Sequence, residues 1–169
     1  DIVVTNPPFS LFREYVSTLI EHKKKFVIIG STNAITYKEV FPLLKDNKMW
    51  VGYGFNRGDA YFAIPKENAR DFAPGVYDEC TGMVHFRNCT WYTNLDIKKR
   101  HDSMILFKRY AAGDYPTYDN YDGIDVDALD NIPCDYSGVM GVPLTIFQNH
   151  NPEQFEIVGF GKGELAKSI

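Results

Sequence analysis

The sequence predicts an α/β fold: an open, largely parallel sheet first, then a more irregular, β-rich part. Three observations predict it. Short β-branched apolar runs at residues 2–5 and 25–30 have the length and composition of buried strands. Helical spacing of apolar residues alternates with those runs. From about residue 80 the helical pattern gives way to period-two alternation, which sets a division into 1–79 and 80–169.

The first strand is Ile2-Val3-Val4-Thr5, read as buried and parallel, and it stops at Asn6-Pro7-Pro8-Phe9. Two prolines cannot continue a ladder, so Asn6 and Phe9 are expected to be held just beyond the strand's carboxyl end. Open α/β sheets bind ligands at that edge. Ser10 stands at an N-cap position, and Leu11, Tyr15, Leu19 and Ile20 recur at helical spacing up to the charged stop at 21–25. Lys-Phe-Val-Ile-Ile-Gly (25–30) is the second strand, and Ser31-Thr32-Asn33-Ala34 ends it in a further ligand-facing loop. Tyr37, Val40, Phe41 and Leu44 predict a short helix within 36–47, broken or kinked by Pro42.

Residues 48–53 and 60–64 read as an antiparallel strand pair, with Asn56, Arg57, Gly58 and Asp59 in the turn. Residues 83–93 and 103–110 read as further strands forming a hairpin, whose tip is Lys98-Lys99-Arg100-His101, with Lys108 and Arg109 close behind. Such a tip is placed to touch phosphates, although a short charged turn is commonly just solvated. The stretch 110–136 carries seven aspartates and no Lys or Arg, so it is no phosphate-binding surface. Asp122 to Asp127 lacks the terminal Glu of an EF-hand and reads as a solvated loop. Strands are expected at 142–147 and 156–160, with a helix start at 151–155.

Composition excludes some classes. With 169 residues, 44% hydrophobic and 15% aromatic, the chain buries a real core and is not disordered. The three cysteines, Cys80, Cys89 and Cys134, are odd in number and lack a C-x-x-C spacing, and no long apolar span is present. A reducing cytoplasm and no membrane are expected. Cys80, Cys89 and His85 make a poor zinc signature, so no metal is expected. The net charge of −4 argues against a nucleic-acid partner if taken alone, but a binding cleft needs only local positive potential. Gly161-Lys162-Gly163-Glu164 fails the phosphate-loop spacings and reads as a surface turn. Because the chain opens with Asp1 inside a strand-like run, it reads as a piece of a longer protein.

The Asn-Pro-Pro-Phe tetrad has its own chemistry. An aromatic amino nitrogen is a poor nucleophile because its lone pair is conjugated into the ring. The side-chain oxygen of Asn6 and the carbonyl of Pro7 can each accept one amino proton, orienting that nitrogen and stabilising the positive charge that grows on it. Pro7 and Pro8, with φ fixed, aim the carbonyl before substrate arrives. Phe9 offers a flat face on which an extruded base stacks. The competing reading is a stiff corner with Phe9 in the core.

The tetrad resembles the catalytic motif of S-adenosylmethionine-dependent methyltransferases that modify exocyclic amino groups. Taken with the run 26–37, the turn 138–143 and the segment 151–155, the chain resembles the EcoRI-type adenine-specific DNA methyltransferase family. The likeness spans most of the chain. It implies the C-terminal half of a doubly wound, Rossmann-like methyltransferase sheet with an added irregular, β-rich region that is a possible target-recognition part. It also implies methyl transfer from S-adenosylmethionine to the exocyclic amine of a flipped adenine in double-stranded DNA, in a restriction–modification setting. Asn6, Pro7, Pro8 and Phe9 are then the catalytic set, Asn6 also borders the cofactor, and Lys98, Lys99, Arg100, Lys108 and Arg109 are candidates for DNA contact. The glycine-rich cofactor loop of such enzymes does not precede Asp1, and 159–163 lacks the flanking residues such a loop needs. Most cofactor contacts are therefore expected upstream, and these residues alone are not expected to turn over. Methylation of RNA guanine or of protein glutamine by the same motif, and a non-catalytic DNA-binding remnant, stay open at this point.

Overall fold

The computed structural model describes residues 1–52, 60–72, 75–86, 88–119 and 121–161. It divides into two compact units, Asp1–Leu95 and Asp96–Ile169.

In the first unit, β1 (Ile2–Thr5) is followed by α1 (Phe12–Glu21) and then β2 (Lys25–Ser31). β1 and β2 are parallel, with Val3 opposite Phe26 and Thr5 opposite Ile28, and α1 is the crossover that a parallel pair requires. The face that α1 buries is Phe12, Val16 and Leu19; of the expected stripe at Leu11, Tyr15, Leu19 and Ile20, Leu19 is buried, Tyr15 and Ile20 are half-buried and Leu11 is exposed. Each buried side chain contributes roughly 1.5–3 kcal/mol of apolar burial. Ser10 does not cap α1: it lies in a 3-10 turn, Phe9–Leu11, and Leu11 is the N-cap with no side-chain bond.

β2 buries Phe26, Ile28 and Gly30 at alternate positions. A 3-10 turn (Thr32–Thr36) then leads into α2 (Phe41–Lys45). Pro42 starts this helix instead of breaking it, because a first-turn residue has no helical partner for its missing N–H. β3 (Trp50–Val51), β4 (Ala60–Ala63), β5 (Tyr77–Asp78), β6 (Met83–Phe86) and β7 (Cys89–Thr93) complete the unit.

The main sheet runs β1-β2-β7-β3, with β7 antiparallel to both neighbours. The expected pairing of 48–53 with 60–64 does not occur. β3 pairs with β7, and β4 joins β6 and β5 in a separate antiparallel sheet. The turn residues Asn56, Arg57, Gly58 and Asp59 lie outside the described residues. Since β7 is central, the first unit runs on to Leu95, past the expected division at residue 79. Asn94 fastens the entrance of β2 by accepting the Phe26 N–H (3.0 Å) and donating to the Lys24 carbonyl (2.9 Å).

β1 is an edge strand and not the buried one expected. Among the described residues it pairs with β2 alone, and Ile2 and Val4 are 54% and 68% exposed.

The second unit holds β8 (Thr117–Tyr118), β9 (Tyr121–Asp125) and β10 (Val139–Gly141), in the order β10-β9-β8. Residues 121–125 are thus a strand and not a solvated loop. Among the described residues the hairpin expected between 83–93 and 103–110 does not form, because β7 is flanked by β2 and β3, and the bridge made by 103–110 is the isolated one from Lys108 to Pro133. The expected strand at 142–147 is a 3-10 turn, Leu144–Gln148, which follows β10. At 151–155 there is a single turn, closed by Gln154 and Phe155 N–H groups on the Asn151 carbonyl, and 156–160 forms no strand. Lys162, Gly163 and Glu164 lie outside the described residues. No helix among the described residues is long and apolar enough to cross a membrane.

Candidate active site

The ladder of β1 ends at Thr5, and Asn6 leaves the sheet at its carboxyl end while β2 continues to Ser31. Pro7 is buried and anchors the corner; Asn6, Pro8 and Phe9 are exposed. Phe9 is 43% exposed, so its ring is not part of the core. Leu11 N–H closes on the Pro8 carbonyl at 3.0 Å, leaving the Pro7 carbonyl outside that bond. No group among the described residues hydrogen-bonds the Asn6 carboxamide. The Asn6 side-chain oxygen is thus open to accept a hydrogen bond from outside the described residues.

The neighbouring loop is built on the same edge. Ser31 Oγ accepts the Asn33 N–H (3.2 Å), Thr32 N–H donates to the Asn88 carbonyl (2.8 Å), and the Tyr92 hydroxyl donates to the Ser31 carbonyl (2.8 Å). Burial, with Tyr37 nearby, pushes the Tyr92 phenol far above its ordinary range, so it stays a donor. Burial also raises the Cys89 thiol. Arg13 of α1 lies over the Tyr37 ring, 4.3 Å from its centre, with Nε 3.8 Å from Glu39 Oε2. This joint ties the helix after the Asn-Pro-Pro-Phe corner to the second loop. Nothing in the sequence signals it, since Arg13 stands 24 positions before Tyr37 and 26 before Glu39.

The five basic candidates divide. Lys98, Lys99, Arg100 and His101 form a 3-10 turn, not a hairpin tip. Lys98 and Arg109 are exposed, whereas Lys99 and Arg100 are half-buried and burial lowers both. Lys108 places Nζ 4.9 Å from the centre of the Tyr115 ring. Lys98 and Arg109 are thus the two most available to an outside anion.

The chain is 49% identical over 173 residues to the type II methyltransferase M.EcoRI of Escherichia coli, covering 100% of this chain and 53% of that protein. It is 38% identical over 171 residues to type II methyltransferase M.MgeORF184P of Mycoplasma genitalium, covering 94% of this chain and 51% of the relative. With type II methyltransferase M.MpnI of Mycoplasma pneumoniae the identity is 35% over 162 residues, with coverages of 94% and 51%. The chain spans about half the length of these curated relatives. No solved structure is significantly similar. The family model described as adenine-specific methyltransferase EcoRI matches residues 1–168, and the chain belongs to that family.

Proposed function

We propose that these residues form the catalytic half of an enzyme that moves a methyl group from S-adenosylmethionine to the exocyclic amine of an adenine flipped out of double-stranded DNA, as the modification arm of a restriction–modification system. The observation that carries the reading is the Asn6 carboxamide, exposed and without a partner among the described residues, on a buried Pro7 at the carboxyl end of β1. The order β1-β2-β7-β3 supports a doubly wound methyltransferase half-sheet, its closing antiparallel pair being β7 with β3.

S-adenosylmethionine supplies an electrophilic methyl group when bound, and Asn6 is the residue of this chain proposed to border it. The Asn6 side-chain oxygen and the Pro7 carbonyl accept the two amino protons and turn the nitrogen lone pair out of conjugation. Pro8 holds the corner rigid, so little ordering remains for the transition state. Phe9 stacks on the extruded ring. The methylated nitrogen sheds its proton after transfer, so the corner needs no base. The second unit is proposed to take part in target recognition through Lys98 and Arg109, with Lys99, Arg100 and Lys108 supporting. A reducing, cytoplasmic setting belongs to the same proposal, and among the described residues Cys80, Cys89 and Cys134 form no disulfide.

The test is the Asn6→Ala variant of the full-length protein, assayed for methyl transfer to duplex DNA, RNA and protein. Loss of DNA adenine methylation by at least about a hundredfold is expected, as for removal of one transition-state acceptor, with DNA binding nearly kept. An unchanged rate removes the assignment.

A further inference from the structure

The second unit holds an open cavity of about 580 Å³, lined by Tyr110, Tyr118, Tyr121 and Tyr136 together with Asp119 and Asp122. Its tyrosines are held in place before any ligand arrives. Tyr118 donates its hydroxyl to Asp125 Oδ1 (2.6 Å), and that bond, then burial, pushes its phenol up to about 12, so it stays neutral and fixed. The ring lies over Gly141, where a Cβ would stand 2.9 Å from Tyr118 Cζ, and the Tyr136 ring lies over Gly138 in the same way. Tyr136 packs against Tyr110 with ring centres 4.6 Å apart, and Tyr110 stacks on the buried Tyr115 at 5.7 Å. The Tyr110 N–H is tied to Asp135 Oδ1 (2.7 Å). Rings held this way lose little freedom on binding.

The charge of the lining says what fits. From Tyr110 to Tyr136 the chain carries seven aspartates and no Lys or Arg, so a phosphate-bearing ligand is repelled. Asp119 and Asp122 are exposed and make no ion pair among the described residues. A metal ion does not suit them, because no three His, Cys, Asp or Glu side chains among the described residues are gathered to hold one. Aromatic faces attract a cation that has apolar surface, and this tyrosine cluster already carries one: Lys108 Nζ stands 4.9 Å from the centre of the Tyr115 ring. Two open carboxylates call for more than one positive charge, spread along an apolar chain. A compact quaternary ammonium offers only one.

We propose that this cavity binds a linear aliphatic polyamine, whose methylenes and ammonium groups lie along Tyr110, Tyr121 and Tyr136 while Asp119 and Asp122 answer its charge. The site lies wholly within the second unit and needs nothing from the Asn-Pro-Pro-Phe corner.

The experiment titrates the full-length protein, free of DNA, with spermidine, reading heat by calorimetry and the methylene protons by NMR. A single saturable site is expected, with the methylene signals moved upfield by the ring currents of the tyrosines. Asp119→Asn combined with Asp122→Asn keeps side-chain shape at two exposed positions and should weaken binding about tenfold at low salt. Tyr136→Leu should weaken it about fivefold, the scale of one cation–π contact, and its unfolding midpoint separates a lost wall from a lost fold. Magnesium chloride at the same total charge should leave the spermidine bound. Absence of a saturable site overturns the proposal, as does full affinity in the double variant or in a Tyr136→Leu protein that keeps its midpoint. Displacement by magnesium overturns it too, since diffuse counterion attraction behaves that way. Adenosine taken up in the cavity while spermidine is refused would assign the rings to a base and remove the polyamine.

Discussion

Gly30 lies directly against the ring of Phe12: a Cβ on residue 30 would stand 2.4 Å from Phe12 Cε2 and 2.7 Å from Cζ. Phe12 has nowhere to retreat, being fully buried and packed against Tyr92 with ring centres 5.1 Å apart. The helix that follows the Asn-Pro-Pro-Phe corner therefore sits at a depth set by a missing side chain. Gly30→Ala is expected to lower stability by about 1–3 kcal/mol, the usual cost of overpacking, measured by urea unfolding. Adding Phe12→Leu should return part of the loss, since the two residues touch. An unchanged midpoint in the single variant would show that the ring moves freely.

Phe9→Ala isolates stacking from folding. The ring is 43% exposed, so the unfolding midpoint should stay within about 0.5 kcal/mol of wild type. Methyl transfer to DNA by the full-length enzyme should fall about tenfold. A large stability loss with normal transfer would place Phe9 among the structural residues.

His101 stands between two carboxylates within the second unit. Its Nε2 lies 2.6 Å from Asp96 Oδ1 and its Nδ1 3.6 Å from Glu153 Oε1. The hydrogen bond to Asp96, then that carboxylate's charge, raise the imidazole above its ordinary 6.5, with Glu153 adding a smaller push. The folded form holds the proton more tightly than the unfolded one. Its stabilising effect is therefore complete below the ordinary value and is lost as pH rises through the raised one. An NMR titration should place His101 above an unstructured histidine, and Asp96→Asn should bring it down. A normal midpoint in the wild-type protein would dissolve the pairing.

Asn151 is a buried knot, 2% exposed. Its Nδ2 donates to the His101 carbonyl (3.2 Å) and to Ser103 Oγ (3.3 Å), and its Oδ1 accepts the Glu153 N–H (2.8 Å). Asn151→Ala leaves several polar groups unsatisfied at once, at a cost of about 1–3 kcal/mol. Hydrogen exchange should report it as faster exchange at Glu153. Unaltered protection there would mean that water takes over the bonds.

The sequence was most readable where a local rule had no competitor. The continuous apolar run of β2 and the proline stop after β1 follow from backbone chemistry alone, and both stand in the structure. Period-two alternation in Cys89–Thr93 says strand but not partner, so its place between β2 and β3 was illegible, and with it the extent of the first unit. The apolar run 104–107 reads as a strand by composition, yet its ladder partner is one glutamine side chain, Gln154, 50 positions away. The position of Asn6 and Phe9 just beyond the end of β1 follows from the two prolines; the Arg13, Tyr37 and Glu39 joint follows from no local rule, because no spacing links distant loops.

The open side of β1 has a practical consequence. A row of amides and carbonyls that no strand among the described residues pairs, beside exposed Ile2 and Val4, is a template on which another strand can grow. A polypeptide of these residues expressed alone should recruit copies of itself edge to edge and precipitate. A lysine at position 4 should keep it in solution by burdening each added strand with a charge.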